Sequence, residues 1–362
     1  MANRKIGIMT TGGDCSGLNT VIQRIIDGCV RRKWKLVGIL DGTDGLYSNP
    51  PKTVDLMNNT FQFASSHLAG SILGNGNANV TNFESCAKTG KLSAFNKRLQ
   101  KSLRDLNLDA LILIGGNGSL SLAHLYREIY NGVQLVCIPK TIDMDVPLTD
   151  KTVGFDTAVQ QLTSYCDQLL LTARSHHRWF VVQTMGRDCG QLALNAGVAI
   201  NADAVLIPEI KFDVDNLVKH IKQSKHDYGI ILVSEGISIR GHSGEPATMI
   251  SRALDKANIP NRTAFPEHIQ RAGDTLATDR ILASAFADTA LQAIESGETY
   301  VMTVVQNGEY KTISLNEFFA AGKQQRDPHI IGAITSNAYV EPDNVLLQIA
   351  TDMGIYIGEK RK

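Results

Sequence analysis

The stretch "LDALILIGGNGSLSLAHL", residues 108–125, decides the fold class. An apolar run leads into a glycine-rich turn, and a helical pattern follows the turn. A strand that is apolar on both faces is typical of a parallel sheet covered by helices. Glycines between a strand and a helix let the backbone approach an anion, and the helix N-terminus attracts negative charge. The stretch therefore predicts a βα unit that binds phosphate.

Composition limits the function classes. The 362 residues allow one large or two closely packed α/β domains. Lysine plus arginine equals aspartate plus glutamate at 36 each, so no net charge favours nucleic acid or a membrane surface. The sequence has neither a run of ~18 apolar residues nor the apolar stretch of a signal peptide. Six scattered cysteines without metal-binding spacing indicate buried thiols. We expect a cytoplasmic protein.

Similar apolar runs recur along the chain, each followed by a turn and a helical pattern. The first series is "KIGIMTTGGD", "WKLVGILDG", "DALILIGGNG" and "VQLVCIPKTID", and the second is "WFVVQTMGRD", "DAVLIPE" and "GIILVSEG". The two series predict an α/β fold of two similarly wound Rossmann-like lobes with mainly parallel sheets. Because ligands bind beyond the carboxyl ends of such strands, we expect the site at these turns.

The turn "TTGGDCSGLN" after the first strand is a second phosphate-binding candidate. Gly12, Gly13 and Gly17 precede an amphipathic helix in it. The spacing fits neither the dinucleotide-binding GxGxxG pattern nor the P-loop pattern. A tight strand–helix turn without a ligand would look similar, but two such turns in one chain favour phosphate binding.

The third candidate is "PKTIDMDVPLTDKTVGFDTA", residues 139–158. Asp143 and Asp145 lie in a segment that we expect to be extended, and we expect their carboxylates to point to opposite sides. One carboxylate can then act as a general base while the other orients a metal or its waters. Two solvated aspartates in a loop are the alternative. Lys140 and Thr141 beside them favour the functional interpretation.

Six motifs occur here in the order and spacing of the phosphofructokinase family, which the chain resembles over about residues 5–320. The motifs are "TTGGDCSGLN", "GGNGS", "PKTIDMD…TVGFDTA", "MGRDCGQLAL", "SEG" and "HIQRAG…ATDRILAS". The resemblance implies a phosphofructokinase-like fold and phosphorylation of the 1-hydroxyl of fructose 6-phosphate by MgATP or, in some members, by pyrophosphate. It implies a donor lobe of residues 1–154 plus about 270–320, and a sugar-phosphate lobe of 155–269 plus about 321–362.

The resemblance also implies catalytic roles. Asp143 is the base that accepts the hydroxyl proton, and Thr141 positions the transferred phosphoryl group. Asp145 assists the placement of the metal and the base. Arg187 stabilises charge on the phosphoryl group, a role suited to a permanently cationic planar donor.

The implied sugar-phosphate site is complete in this sequence. Its residues are Thr141, Asp143, Arg178, Met185, Gly186, Arg187, Glu235, Arg262, His268 and Arg271. Two of these arginines, Arg178 and Arg262, match family arginines that reach in from a neighbouring subunit. The resemblance therefore implies a homodimer or homotetramer.

The implied donor site is less regular. Its residues are Gly12, Gly13, Asn77, Gly116, Asn117, Gly118, Ser119 and Lys140. Gly118 stands where pyrophosphate users generally carry aspartate, and a bare glycine leaves room for the α-phosphate of a nucleotide. Lys140 is common in pyrophosphate users but also occurs in ATP users. We give Gly118 more weight and predict ATP as the donor.

Three residues depart from the family pattern, one at the metal, one at the bridging cation and one between the two aspartates. Asn117 replaces the aspartate that normally holds Mg²⁺, Asn77 replaces an arginine between donor and acceptor, and Met144 replaces an asparagine. We expect Mg²⁺ as the cofactor, with Asn117 or Asp145 as its ligand. Two alternatives stay open: a pyrophosphate-dependent enzyme, and a weakly active regulatory paralogue that binds fructose 6-phosphate.

Overall fold

The computed structural model describes residues 4–58, 67–76, 92–125, 127–237, 244–324, 334–335, 340 and 343–359. The chain divides into two compact units. The first unit comprises Met1–Thr141, Val146–Phe155 and Gly273–Asn337, and the second comprises Ile142–Asp145, Asp156–Ala272 and Ala338–Lys362. Each unit alternates strands and helices, as the recurring apolar runs predict.

Most helices and strands of the first unit come from the N-terminal part of the chain. They are β1 (Lys5–Thr10), α1 (Leu18–Arg32), β2 (Lys35–Ile39), α2 (Gly42–Tyr47), β3 (Thr53–Asp55), α3 (Leu92–Leu106), β4 (Ala110–Gly115), α4 (Asn117–Leu125), a 3-10 helix (Arg127–Tyr130), β5 (Gln134–Pro139), α9 (Ala277–Ser296), β10 (Val301–Gln306), β11 (Glu309–Ser314), α10 (Leu315–Ala321), β12 (Lys323–Gln324) and β13 (Ile334–Thr335).

The second unit holds the central part of the chain and one C-terminal helix. Its elements are α5 (Phe155–Ser175), β6 (Trp179–Thr184), α6 (Gln191–Ala199), β7 (Ala204–Leu206), α7 (Val214–Gln223), β8 (Gly229–Ser234), α8 (Pro246–Lys256), β9 (Asn261–Ala264), a 3-10 helix (Glu267–Arg271) and α11 (Val345–Asp352).

The sheet of the first unit has seven strands in the order β11-β10-β5-β4-β1-β2-β3. The five central strands are mutually parallel, and only the outer strands β3 and β11 pair in the antiparallel sense. Every residue of β4 is buried. This burial is what a strand covered by helices on both faces requires. The mainly parallel α/β fold predicted from the sequence is therefore confirmed.

The second unit has its own sheet and core. Four parallel strands lie in the order β7-β8-β6-β9. Every residue of β8 is buried. Side chains from the strands pack with α7 and α8 in one apolar cluster, which includes Trp179, Ile231, Leu217 and Ile250. The two units thus bury separate cores around similarly built sheets.

The C-terminal residues cover the edge of the second sheet at β7. Tyr356 donates its amide to the carbonyl of Asp203 at 3.0 Å and accepts the amide of Val205 at 2.8 Å. Unpaired edge strands invite unwanted pairing with other chains, and these contacts occupy that edge. Asn344 caps α11 by accepting the amide of Leu346 through its side chain.

The unit boundaries differ from the predicted lobe boundaries in two places. Residues 142–145 belong to the second unit rather than to the first, and the negative charges of Asp143 and Asp145 act on the thiol of Cys189 in that unit. Residues 321–337 belong to the first unit, because β13 packs against α4. The sequence carries no turn or composition signal at either point.

The described cysteines are free thiols, and all five are buried. Burial raises the pKa of Cys29 and Cys166 to about 12. Cys86 lies outside the described residues. Among the described helices, none is both long and apolar enough to cross a membrane.

Asp203 makes the stability of the second unit depend on pH. Its Oδ2 accepts the amide of Ile230 at 3.1 Å, and burial raises its pKa to about 6 from the usual 3.8. Between about 4 and about 6 the folded protein retains a proton that the unfolded chain releases. Stability contributed by neutral Asp203 is therefore lost as the pH rises through this window.

We expect Asp203→Asn to stabilise the protein at neutral pH and to have little effect in acid. The asparagine can still accept from Ile230, but it does not ionise. Denaturant unfolding should give a gain of about 1–3 kcal/mol at about pH 7.5 and a much smaller gain at about pH 4. A gain that is equal at both pH values, or larger in acid, would contradict this assignment.

Candidate active site

The glycine-rich turns of the first unit converge at the carboxyl ends of β1, β4 and β5. A Cβ atom placed on Gly12 would lie 3.4 Å from Nζ of Lys140 and 3.5 Å from Oγ of Ser119. Gly12 therefore lies next to a residue from each of the other two turns. Its φ of +77° is in the left-handed region that favours glycine. This contact places the three predicted phosphate-binding turns at one site.

The "GGNGS" sequence is mostly helix rather than loop. Gly115 ends β4 and Asn117 begins α4, so Gly116 alone connects the strand to the helix. Asn117, Gly118 and Ser119 form the first helical turn, whose backbone amides point out of the helix end. That end carries the positive pole of the helix dipole. Anion binding by this segment stays a prediction.

Gly116 and Gly118 differ in the space around them. A Cβ on Gly116 would lie 3.2 Å from the carbonyl oxygen of Lys140, so the turn is closely packed there. A Cβ on Gly118 would meet nothing within 4 Å among the described residues. Gly118 is exposed, whereas Asn117 beside it is 8% exposed. The described part of the chain therefore leaves the side-chain position of Gly118 open.

Lys140 is a buried cation at the end of β5. It is 3% exposed, and its ammonium donates a hydrogen bond to the carbonyl of Gly13. Burying an ammonium is costly unless the charge is hydrogen-bonded. The bond to Gly13 therefore joins the first turn to the third.

Thr141 is fixed by the segment that follows it in the first unit. Its amide donates to the carbonyl of Val153 at 3.2 Å, and its carbonyl accepts the Thr152 hydroxyl at 2.9 Å. Val153 in turn donates to the carbonyl of Pro139 at 3.2 Å. Hydrogen bonds to Thr152 and Val153 thus hold the backbone of the Lys140–Thr141 turn at Thr141 and at Pro139, the residue before the turn.

Asn77 of the predicted donor site lies outside the described residues. The described residues before it cover the end of β1. There, Thr10 contacts the hydroxyl of Ser71 at 2.8 Å and donates to the carbonyl of Gly74 at 2.7 Å. The segment leading to Asn77 is therefore tied to β1 at the edge where the three turns meet.

The prediction that the segment holding Asp143 and Asp145 is extended is wrong. Met144 between them has φ of +55°, in the left-handed region. An extended segment would also have placed residues two apart on the same side, so it gives no reason to expect opposite sides. The negative charges of both carboxylates act on the thiol of Cys189, which lies just before α6. Burial raises the pKa of that thiol, and the negative charges of Glu209, Asp145 and Asp143 raise it further. The two aspartates therefore lie near the same element of the second unit.

Glu209 is a third carboxylate in this neighbourhood, and the sequence analysis missed it. Its Oε1 accepts the amide of Gly190 at 2.8 Å and that of Val340 at 3.2 Å. It thus connects the start of α6 to the C-terminal part of the chain. The "IPE" sequence that contains it has no pattern that predicts this contact.

Two predicted sugar-phosphate segments of the second unit are in backbone contact. They are the "MGR" turn, 185–187, after β6 and the "SEG" turn, 234–236, after β8. A Cβ on Gly236 would lie 1.7 Å from the carbonyl oxygen of Arg187, which only glycine permits. Ser234 donates its hydroxyl to the carbonyl of Gly186. The exposed side chains of Arg187 and Glu235 thus extend from adjoining turns.

The "HIQR" segment joins the same group through Gln270. This buried side chain accepts the amide of Met185 at 3.0 Å and donates to the carbonyl of Glu267 at 3.0 Å. His268 is exposed and Arg271 is half-buried on the same 3-10 helix. The sequence predicts His268 and Arg271 as site residues but not Gln270, whose hydrogen bond with Met185 connects the two segments.

Arg178 and Arg262 lie apart from the other predicted sugar-phosphate residues within this chain. Arg178 directly precedes β6, whereas Met185 directly follows it. A strand of this length spans roughly 20 Å at ~3.3 Å per residue. Arg262 lies within β9 opposite Phe180, near the start of β6. Neither arginine therefore belongs to the group that Gln270 connects.

Comparisons with known proteins agree with this fold. The phosphofructokinase family model matches residues 5–294. The chain is 34% identical to ATP-dependent 6-phosphofructokinase 1 of Nostoc sp. (strain PCC 7120), over 99% of each chain. The chain therefore belongs to the phosphofructokinase family, a family of phosphotransferases. This result confirms the resemblance seen in the sequence.

Solved structures share the fold. Phosphofructokinase from Saccharomyces cerevisiae superposes with a TM-score of 0.77 at 23% identity, over 97% of this chain and 48% of the yeast chain. This chain thus spans about half of the yeast protein. A pyrophosphate-dependent phosphofructokinase from Marinobacter aquaeolei gives a TM-score of 0.76 at 18% identity, over 99% of this chain and 92% of that one. At these identities the likeness concerns the fold alone.

We expect Gln270→Met to loosen the "MGR" turn. The methionine fills similar volume but does not accept the amide of Met185, so that amide should exchange with solvent roughly 2–10-fold faster. Hydrogen–deuterium exchange of peptides covering residues 184–188 measures the effect. Ile269→Met on the exposed side of the same 3-10 helix is the control and should leave this exchange unchanged. Equal exchange in both variants would contradict the role of Gln270.

Proposed function

We propose that this protein is a 6-phosphofructokinase that transfers the γ-phosphoryl group of ATP to the 1-hydroxyl of fructose 6-phosphate. The observation that carries the proposal is the convergence of Gly12, Ser119 and Lys140 at the carboxyl edge of the first sheet. Such an edge, with a helix N-terminus, is where phosphate groups bind in this fold class. Family membership and the printed name of the Nostoc relative support the same reaction.

The donor proposal rests on Gly12, Gly13, Gly116, Gly118 and Ser119. A Cβ on Gly118 would meet nothing within 4 Å among the described residues, which suits an α-phosphate passing close to this position. The amides at the start of α4 are suited to the negative charge of the phosphates.

Lys140 favours the alternative donor, pyrophosphate, because its cation lies at the donor site. Its ammonium, however, already has the carbonyl of Gly13 as a hydrogen-bond partner. This contact gives Lys140 a role in shaping the turn that does not depend on the donor. We therefore keep ATP as the proposed donor and pyrophosphate as the alternative.

Mg²⁺ is the proposed cofactor, and the residues fit it in one particular way. Mg²⁺ keeps several waters and is usually held by one or two carboxylates together with substrate phosphates. Within the described part of the chain, no group of three or more acidic, histidine or cysteine residues could hold a metal alone. The site therefore suits an ion that arrives with the donor, with Asp145 or Asn117 supplying a protein oxygen. Bound Mg²⁺ would neutralise charge on the donor phosphates.

The proposed mechanism needs a base, a positioning hydroxyl and a cation. Asp143 accepts the proton of the sugar hydroxyl as the new phosphoester bond forms, and its Oδ1 is buried from solvent. Thr141 contacts the transferred phosphoryl group from a turn whose backbone is held by Val153. Arg187 stabilises the negative charge on that group. In-line transfer then moves the phosphoryl group to the sugar oxygen and leaves ADP.

The acceptor proposal uses the connected turns of the second unit. Met185, Gly186 and Glu235 contact the sugar, and His268 and Arg271 bind its 6-phosphate. Arg178 and Arg262 lie away from this group, which supports their proposed role in the site of a neighbouring subunit. The protein is then a cytoplasmic homodimer or homotetramer.

A coupled assay on purified protein tests the proposal. Formation of fructose 1,6-bisphosphate is measured with Mg²⁺, fructose 6-phosphate and either ATP or pyrophosphate. We expect turnover with ATP to exceed turnover with pyrophosphate. The reverse order would establish the pyrophosphate alternative. No transfer with either donor, while fructose 6-phosphate still raises the melting temperature, would indicate the regulatory paralogue that Asn117 and Asn77 suggest.

If Asp143 is the base, Asp143→Ser should lower kcat by about 10²–10⁴-fold, because proton transfer in the transition state is lost. Binding of fructose 6-phosphate should persist, since Arg271 and His268 are intact. Steady-state kinetics and the melting-temperature shift with the sugar phosphate measure the two effects. Asp343→Ser, an exposed loop position before α11, is the control. A variant that retains its kcat rules out this role.

If Gly118 selects ATP, Gly118→Asp should lower the ratio of kcat/KM for ATP to that for pyrophosphate. The Cβ atom of the new side chain meets no described atom within 4 Å. The charge of the carboxylate would repel the α-phosphate, and like charges in contact cost several kcal/mol, so we expect a fall of ~10- to 100-fold. Gly118→Asn has the same size without the charge and should have a smaller effect. Equal losses with both donors would contradict this explanation.

A further inference from the structure

The segment Gly273–Asp279, which precedes and enters α9, contacts two other loops of the first unit. After β1, Ser16 donates its hydroxyl to the carbonyl of Gly273 at 3.1 Å, and the amide of Gly17 donates to Oγ1 of Thr275 at 3.0 Å. In the segment after β5, the amide of Gly154 donates to Oδ1 of Asp279 at 2.9 Å. One short segment therefore binds both loops through hydrogen bonds.

The two side chains that make these bonds are buried. Thr275 is 2% exposed and Asp279 is 1% exposed. A buried hydroxyl or carboxylate is tolerated when hydrogen bonds replace those to water. Each side chain accepts a backbone amide from a loop distant in sequence, so its position and that of the loop are fixed together.

The two loops also touch each other with no room for additional side chains. A Cβ on Gly17 would lie 2.6 Å from Cγ1 of Val153, and one on Gly154 would lie 2.5 Å from Sγ of Cys15. Both glycines have φ values in the left-handed region, +93° and +100°. Any displacement of one loop is therefore transmitted to the other by direct contact.

These loops carry the proposed donor-binding residues. Val153 pairs with Pro139 and Thr141 through backbone hydrogen bonds of 3.2 Å each. The first loop contains Gly13, whose carbonyl accepts the Lys140 ammonium. A continuous series of contacts thus runs from Thr275 and Asp279 to both sides of the donor site.

We propose that Thr275 and Asp279 are positioning residues that set the distance between the first turn and the Lys140–Thr141 turn, and so control donor affinity. They touch no substrate themselves, and they act through the backbone of Gly17 and Gly154. This inference rests on the proposed function, because it takes the converging turns to be the donor site.

Thr275→Val tests the proposal, because it removes the hydroxyl and keeps the branched shape. Thr303→Val is the matched control: Thr303 is fully buried in β10, and its hydroxyl has no hydrogen-bond partner among the described residues. Dissociation constants for MgATP, pyrophosphate and fructose 6-phosphate are measured by calorimetry, and KM and kcat by the coupled assay. Thr275→Ser retains the hydroxyl and serves as the conservative variant.

We expect Thr275→Val to weaken binding of the donor that wild type uses by about 3–10-fold, the loss typical of one hydrogen bond. Its dissociation constant for fructose 6-phosphate should stay within about twofold, and Thr275→Ser and Thr303→Val should bind the donor within about twofold of wild type. If Thr275→Val fails to fold, Thr275→Ala, which removes the same hydroxyl with less bulk, should give the same loss of donor affinity.

Three results would overturn the proposal. They are unchanged donor affinity in a folded Thr275→Val protein, equal losses for donor and sugar phosphate, and a loss that Thr275→Ser shares in full. A wild-type protein without turnover would refute the proposed function, but the comparison of donor dissociation constants would still decide the role of Thr275. The two failures are therefore distinguishable.

Discussion

The buried ammonium of Lys140 constrains the shape of the predicted donor site. A cation that is 3% exposed needs a hydrogen-bond partner inside the protein, and the carbonyl of Gly13 supplies one. That carbonyl can face the lysine while Gly12 adopts a φ of +77°, which glycine tolerates without strain. Gly12 in turn lies close to both Lys140 and Ser119. The geometry of three turns thus depends on one buried charge.

The second unit depends on close backbone approach rather than on a buried charge. Gly236 lies against the carbonyl of Arg187, where a Cβ would be only 1.7 Å away. This contact brings the turns after β6 and β8 together, and Gln270 adds the 3-10 helix that carries His268 and Arg271. Exposed polar side chains are thereby fixed by buried backbone contacts beneath them.

Sequence patterns were reliable where they report burial and local turn chemistry. The apolar runs predict β4 and β8 as fully buried parallel strands, and they are. The extended segment expected at Asp143 and Asp145 is not found, because Met144 between them has a left-handed φ. Gln270, Glu209 and Thr275 were not predicted, since each accepts a hydrogen bond from a residue far away in the chain.

The amino-acid sequence by itself determined the fold class, the family and the residue types at the glycine-rich turns, because periodicity, glycine positions and motif order are local properties of the chain. Only the tertiary structure decided which residues hold those turns in place. Thr275 and Asp279 bind loops that precede them by more than a hundred residues. The negative charges of Glu209, Asp145 and Asp143 came to act on the thiol of Cys189. Contacts of this kind follow from packing of distant segments, and no local pattern records them.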